Sequence, residues 1–170
     1  MNSSLPSGFA VEKICWPSAQ DRLLNAINAG ALLMNYIGHS ATDGLSHNLL
    51  VCSDLACNLD ALTNGVKLPV VTAMTCFMNN FADPFNNVLG EMLVMKDDGG
   101  AIAVWGPTGL SLNEEAVVLD KKLLQAVFGA GKKVLGEAIR QSLQEGRDQG
   151  IQGFMLEIYN LLGDPALPVR

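Results

Sequence analysis

Apolar residues along this chain alternate between short continuous runs and stretches with helical spacing. Leu23, Leu24 and Ile27 share one face, Ser18 stands where a cap belongs and Gly30 where a helix would stop, so the pattern predicts a helix over 19–29. "ALLMNYI" follows as a strand and leads into a polar, glycine-bearing loop. In "SDLACNLDALTNG", Leu55, Leu59 and Leu62 recur at helical spacing and Asn64-Gly65 closes the turn. "LPVVTAMT" is the second strand, introduced by Pro69.

Asp83 before Pro84 places a capping acid ahead of a proline at a first helical position, and Phe85, Val88, Leu89, Met92 and Met95 continue a helical face. Gly99-Gly100 ends that helix, and "AIAVW" reads as a third, buried strand. Ser111 to Glu114 has the form of a capping box opening a helix to about 128, and two more helical stretches cover about 134–145 and 151–161. Short apolar strands alternating with helices predict an α/β fold, a parallel sheet covered by helices on both faces. No repeat or low-complexity tract competes with that reading. In such sheets the functional crevice lies beyond the carboxyl ends of the strands, where neighbouring loops converge.

Composition narrows the function without naming it. With 170 residues, 49% apolar and 16% charged, the chain suits one globular domain over 1–170, with residues 1–8 expected to be flexible. The net charge is −6, and the eleven Lys and Arg are scattered apart from the pairs Lys121-Lys122 and Lys132-Lys133, which argues against a nucleic-acid partner. No apolar run reaches the roughly 18 residues of a membrane helix, and the first residues lack the basic and apolar blocks of a signal peptide, so a soluble chain without an address is expected. Cys15, Cys52, Cys57 and Cys76 form neither a C-x-x-C nor a zinc spacing; Cys52 and Cys57 read as small packing residues rather than a bridge, and no metal or cofactor is evident.

Two chemically capable residues follow strand ends: His39 after the first strand and Cys76 after the second. Spacing alone reads His39 as a loop histidine and Cys76 as an inert thiol behind an apolar strand. Adjacent parallel strands about 5 Å apart can nevertheless hold an imidazole within reach of a thiol, which is how a cysteine nucleophile is activated. Backbone N–H groups just past such strands can also face a developing oxyanion.

The blocks "NYIGHS", "ALTNGVKLPVVTAMTCFMNNFADP", "LGEMLVMKDDGGAIAVWGPTGLS" and "YNLLGDPAL" occur in the order found in gingipain-like cysteine peptidases. From about Gly8 onward the chain resembles the C-terminal part of their caspase-like catalytic domain. The resemblance implies a cysteine endopeptidase with Cys76 as nucleophile, His39 as general base, and the N–H groups of Ser40 and Cys76 as oxyanion donors. It also implies that Ile37, Met74 and the loop near Trp105 border the substrate pocket; Ile37 and Met74 read equally as core. The family pattern is Gly-His-Gly, whereas this chain has Gly38-His39-Ser40; a side chain at 40 is costly if the backbone needs a positive φ.

By the same resemblance the chain is an incomplete catalytic domain whose partners are a peptide or protein substrate and a missing upstream half. Self-association into dimers or larger species through an uncovered sheet edge is expected. The family allows calcium but assigns no site, and its members are mostly secreted or cell-surface proteins.

A degenerate, non-catalytic peptidase-like module is the alternative, favoured by Ser40 and the missing half. A nucleotide site is a weaker rival: in "FGAGKK" Ala126 and Lys133 stand where a phosphate loop needs Gly and Ser or Thr. Glu114 and Glu115 point apart on a helix and suit its first turn, and His47 reads as a solvated loop residue.

Overall fold

The computed structural model describes residues 8–15, 17–54, 56–129 and 134–169. The expectations that fall on residues 1–7, on Leu55 and on the 130–133 part of "FGAGKK" lie outside them. The chain forms two compact units: one comprises Ile14–Ser111 with Ile158–Gly163, the other Leu112–Glu157 with the described residues of both chain ends.

In the first unit, three apolar runs become strands β1 (Leu33–Ile37), β2 (Val70–Met74) and β3 (Ala103–Pro107). Every residue of β2 and β3 is buried, as expected of strands inside a parallel sheet. Sheet order is β1-β2-β3-β4, the first three parallel, with Ile37 opposite Met74 and Thr72 opposite Trp105. Helix α1 (Ala19–Ala29) matches the sequence prediction, and Gly30 at φ 101° ends it by donating to the Ile27 carbonyl. Ser18 occupies the cap position but makes no side-chain capping bond. Helix α2 spans Leu89–Met95 and packs on β3. Ile27, Met34, Leu50, Leu62, Val71, Met78, Leu89, Leu93 and Val104 form one continuous core.

Several predicted helices are shorter or absent. Asp83 does accept from the Phe85 N–H (2.9 Å) and the Asn86 amide (2.8 Å), but these bonds close a turn and the helix waits until Leu89. Among its described residues the run 53–65 holds a single 3-10 turn, Leu59–Ala61, because Cys52 and Cys57 are joined by a disulfide that folds the chain back on itself. That bridge overturns their reading as packing residues. The stretch 151–161 splits into helix α5 (Gly153–Ile158) and strand β4 (Tyr159–Leu162). β4 pairs antiparallel with β3, so the sheet is mixed: the edge of β3 supplies backbone partners, and Tyr159 packs on Trp105 with ring centroids 5.3 Å apart.

The second unit pairs α3 (Asn113–Leu124) with α4 (Leu135–Asp148), with a π-helical turn over Gln125–Gly129. Leu119, Leu123, Ala138, Ile139 and Met155 are buried in it. Gly146 permits close approach, since a Cβ there would lie 2.8 Å from Leu119 and 2.9 Å from Ile151. The capping box is not formed: Leu112 is the cap residue without a side-chain bond, and Ser111 turns elsewhere. Glu115 accepts from both the backbone and the side chain of Gln152 at 2.9 Å, in keeping with a structural role. No helix among the described residues is long and apolar enough to cross a membrane.

Candidate active site

The Ile37–Met74 pair ends the β1–β2 ladder, and the Gly38 N–H still donates to the Met74 carbonyl at 3.3 Å. Two residues beyond each member of that pair stand His39 and Cys76. The His39 carbonyl accepts from the Tyr36 hydroxyl (2.7 Å) and the Ser46 N–H (2.9 Å), which anchors the histidine's backbone while its side chain stays exposed. Gly38 leaves room for the Tyr36 hydroxyl, which folds back to 2.5 Å from where a Cβ would stand, so a side chain here would have to displace the tyrosine from the His39 carbonyl. Desolvation raises the Tyr36 phenol above its ordinary 10.0, partly offset by hydrogen bonding with Ser46, so the group stays neutral and able to donate.

Cys76 is partly buried and, with Cys15, is a free thiol. Its Sγ lies 3.9 Å from the Ser111 carbonyl, and the Ser111 hydroxyl is 2.9 Å from that of Tyr159. The next residue, Phe77, adopts φ 53° and donates its N–H to the Gly109 carbonyl at 3.1 Å. Asn79 then donates its backbone N–H to Pro107 (3.0 Å) and its amide to the carbonyls of Asn160, Val104 and Gly106. The turn carrying the thiol is thereby fastened to β3 and β4.

Ser40 joins the two loops. Its hydroxyl donates to the Cys76 carbonyl and accepts from the Thr75 hydroxyl at 2.7 Å. Ser40 is absent from the residues with positive φ, so a side chain at this position carries no left-handed strain. Of the three residues expected near the pocket, Ile37 is 40% exposed, whereas Met74 at 2% and Trp105 at 0% are closed to solvent. His47 is exposed in the loop beyond. Thr75, Ser111, Gly109 and Tyr36 were not singled out by the sequence as site residues; only the position of Thr75 beside Cys76 offered a signal. Among the described residues no three His, Cys, Asp or Glu side chains are gathered for a cation.

The chemistry available here is that of a thiol and an imidazole at neighbouring strand ends, with backbone anchored on both sides. The solved structures similar to the chain include three at 20% identity. The arginine-specific cysteine proteinase gingipain R (RgpB) matches with a TM-score of 0.79 over 89% of this chain and 36% of its own. The complex of Porphyromonas gingivalis RgpB pro- and mature domains gives 0.77 over 89% and 37%. A structure described only as a protease gives 0.72 over 92% and 38%. The chain thus spans a little over a third of the chains it matches, and the likeness establishes the fold. No curated protein sequence matches it. The description Peptidase family C25 matches residues 3–170, and on that match the chain belongs to this family of gingipain-like cysteine peptidases.

Proposed function

We propose that this chain is the nucleophile-bearing part of a cysteine endopeptidase domain, with Cys76 as nucleophile and His39 as general base. The observation that supports this best is the placement of both residues two positions past a paired strand end, with the loops joined through Ser40. In this reading the imidazole of His39 takes the thiol proton as Cys76 sulfur adds to the peptide carbonyl carbon. The resulting oxyanion is held by the N–H groups of Ser40 and Cys76. Collapse of the adduct expels the amine, which receives the proton from the imidazolium, and leaves a thioester on Cys76. A water molecule, deprotonated by His39, then adds to the thioester, and its collapse releases the carboxylic acid and the thiolate, which regains its proton. Ile37 supplies the exposed rim of the substrate pocket, backed by Met74 and the β3 segment at Trp105. As a part of a peptidase domain, the chain takes a peptide or protein substrate, and a preceding half of the domain is its partner.

Brief alkylation with iodoacetamide followed by peptide mapping tests the assignment. Cys76 should label faster than Cys15, the other free thiol, and His39→Ala should slow Cys76 alone; faster labelling of Cys15 refutes the dyad. Turnover of a mixed peptide library, with and without a supplied gingipain-type upstream half, should vanish in Cys76→Ala. The second reading, a non-catalytic peptidase-like module, draws support from the position of the thiol beside the Ser111 carbonyl. It requires that Cys76 labelling be indifferent to His39.

A further inference from the structure

We propose that Ser40 and Thr75 are positioning residues that together set the orientation of Cys76, a role that rests on Cys76 being the nucleophile. The direction of their hydrogen bonds follows from chemistry alone. A carbonyl only accepts, so Ser40 must give its single hydroxyl proton to the Cys76 carbonyl, and its oxygen is left to accept from Thr75. Thr75 is 3% exposed, so its hydroxyl has little access to bulk water and depends on this partner. Two hydroxyls in series polarise one another, which tightens the grip on the carbonyl beyond that of one serine.

The peptide between Cys76 and Phe77 is held at both polar ends. Its carbonyl is taken by Ser40 from the loop after β1, and its N–H by Gly109 from the loop after β3. Phe77 has φ 53°, a region that a bulky side chain enters only when the surroundings enforce it. The relay and the Gly109 bond are what enforce it here, and the thiol on the preceding residue takes its direction from that peptide. Because the Ser40 proton is committed to Cys76, this hydroxyl is not an oxyanion donor; its role is exercised through Cys76. Serine in place of the glycine that the resemblance leads one to expect is thus an added tie between the histidine loop and the nucleophile.

The test uses the full chain and four substitutions, Ser40→Ala, Ser40→Thr, Thr75→Val and Thr75→Ser, with His39→Ala as reference. The readouts are the alkylation rate of Cys76 against pH, mapped by peptide, and the thermal midpoint as a check on folding. Ser40→Ala and Thr75→Val should slow the His39-dependent alkylation by about ten- to a hundredfold and alter its pH profile, as expected when a reacting group is misplaced by a fraction of an ångström to 1 Å. Ser40→Thr and Thr75→Ser, which keep the hydroxyls, should restore it. The double removal should be no slower than the worse single one, since the two hydroxyls act as one chain. A folded Ser40→Ala protein with the parent rate and pH profile overturns the proposal; if that variant does not fold, Thr75→Val decides on the same terms. A parent chain whose Cys76 labelling ignores His39 would instead bring down the nucleophile assignment, and the positioning role with it.

Discussion

Asn79→Ala should destabilise the protein by roughly 2–3 kcal/mol, and the figure follows from what the amide does. Asn79 is fully buried, and its two N–H protons serve carbonyls of Asn160 at 3.0 Å, Val104 at 3.3 Å and Gly106 at 3.4 Å. Two effective bonds at about 1 kcal/mol each are lost, and orphaned carbonyls add about 1 more. Removing Oδ1, which has no hydrogen-bond partner among the described residues, returns about 1 kcal/mol. The small void costs about another 1 kcal/mol because Gly90 already packs so closely that a Cβ there would lie 2.0 Å from that oxygen. For a chain of this size the thermal midpoint should fall by roughly 4–12 °C. Urea unfolding followed by tryptophan fluorescence measures the loss, with Trp105 as a fully buried reporter on the adjoining strand. Asn79→Asp sharpens the test, since a carboxylate facing three carbonyls favours its protonated form and has its folded pKa raised above the usual carboxylate value. Its stability is then fully present below the ordinary carboxylate pKa and declines as pH rises through the raised one. An alanine variant within about 0.5 kcal/mol of the parent, or an aspartate variant with the parent's pH dependence, would refute the argument that the amide fastens this turn through its protons.

Reduction of the Cys52–Cys57 disulfide, which closes a sequence separation of 5, should cost roughly 2 kcal/mol in the chain-entropy treatment. Amide exchange should then quicken first between Gly44 and Asn58, where the Asn58 side chain ties Asn48, Leu49 and Val51; quickening elsewhere first would count against it. Gly163→Ala should lower stability by about 1–3 kcal/mol, because φ is 135° and the new Cβ would lie 2.7 Å from that of Ala103; an unchanged thermal midpoint contradicts this. Glu145 titrates below its ordinary 4.5, through its hydrogen bond from Gln141 first and Lys122 second. Its contribution is present above 4.5 and lost as pH falls through the depressed value, and NMR titration should show both Gln141→Leu and Lys122→Met moving it back upward; a titration unchanged by either would count against it.

Helix α1 was legible because its apolar face, its start and its stop at Gly30 are all local, and the three parallel strands because continuous apolar runs bounded by glycine and proline have few other uses. That His39 and Cys76 each follow a strand end was legible for the same reason; the register that puts both two residues beyond the Ile37–Met74 pair came only with the structure, where β2 stops at Met74 rather than Thr75. The ordered blocks likewise placed the chain in its family. Where partners come from far along the chain, local reading failed. Tyr159–Leu162 carries helical spacing, but the edge of β3 offered hydrogen bonds and Trp105 an aromatic face, and strand pairing prevailed. Ser111 is 48 residues from the Tyr159 that occupies its hydroxyl, so a capping box sound on paper does not form. Ser40 is 35 residues from Thr75 and 36 from the Cys76 carbonyl it holds, and nothing in either segment announces the other. Backbone periodicity arises between residues a turn or a pleat apart, and the sequence records it directly. The partner of a hydroxyl, an amide or a thiol is whatever the packed chain brings within 3 Å or so, and only the tertiary structure decides that.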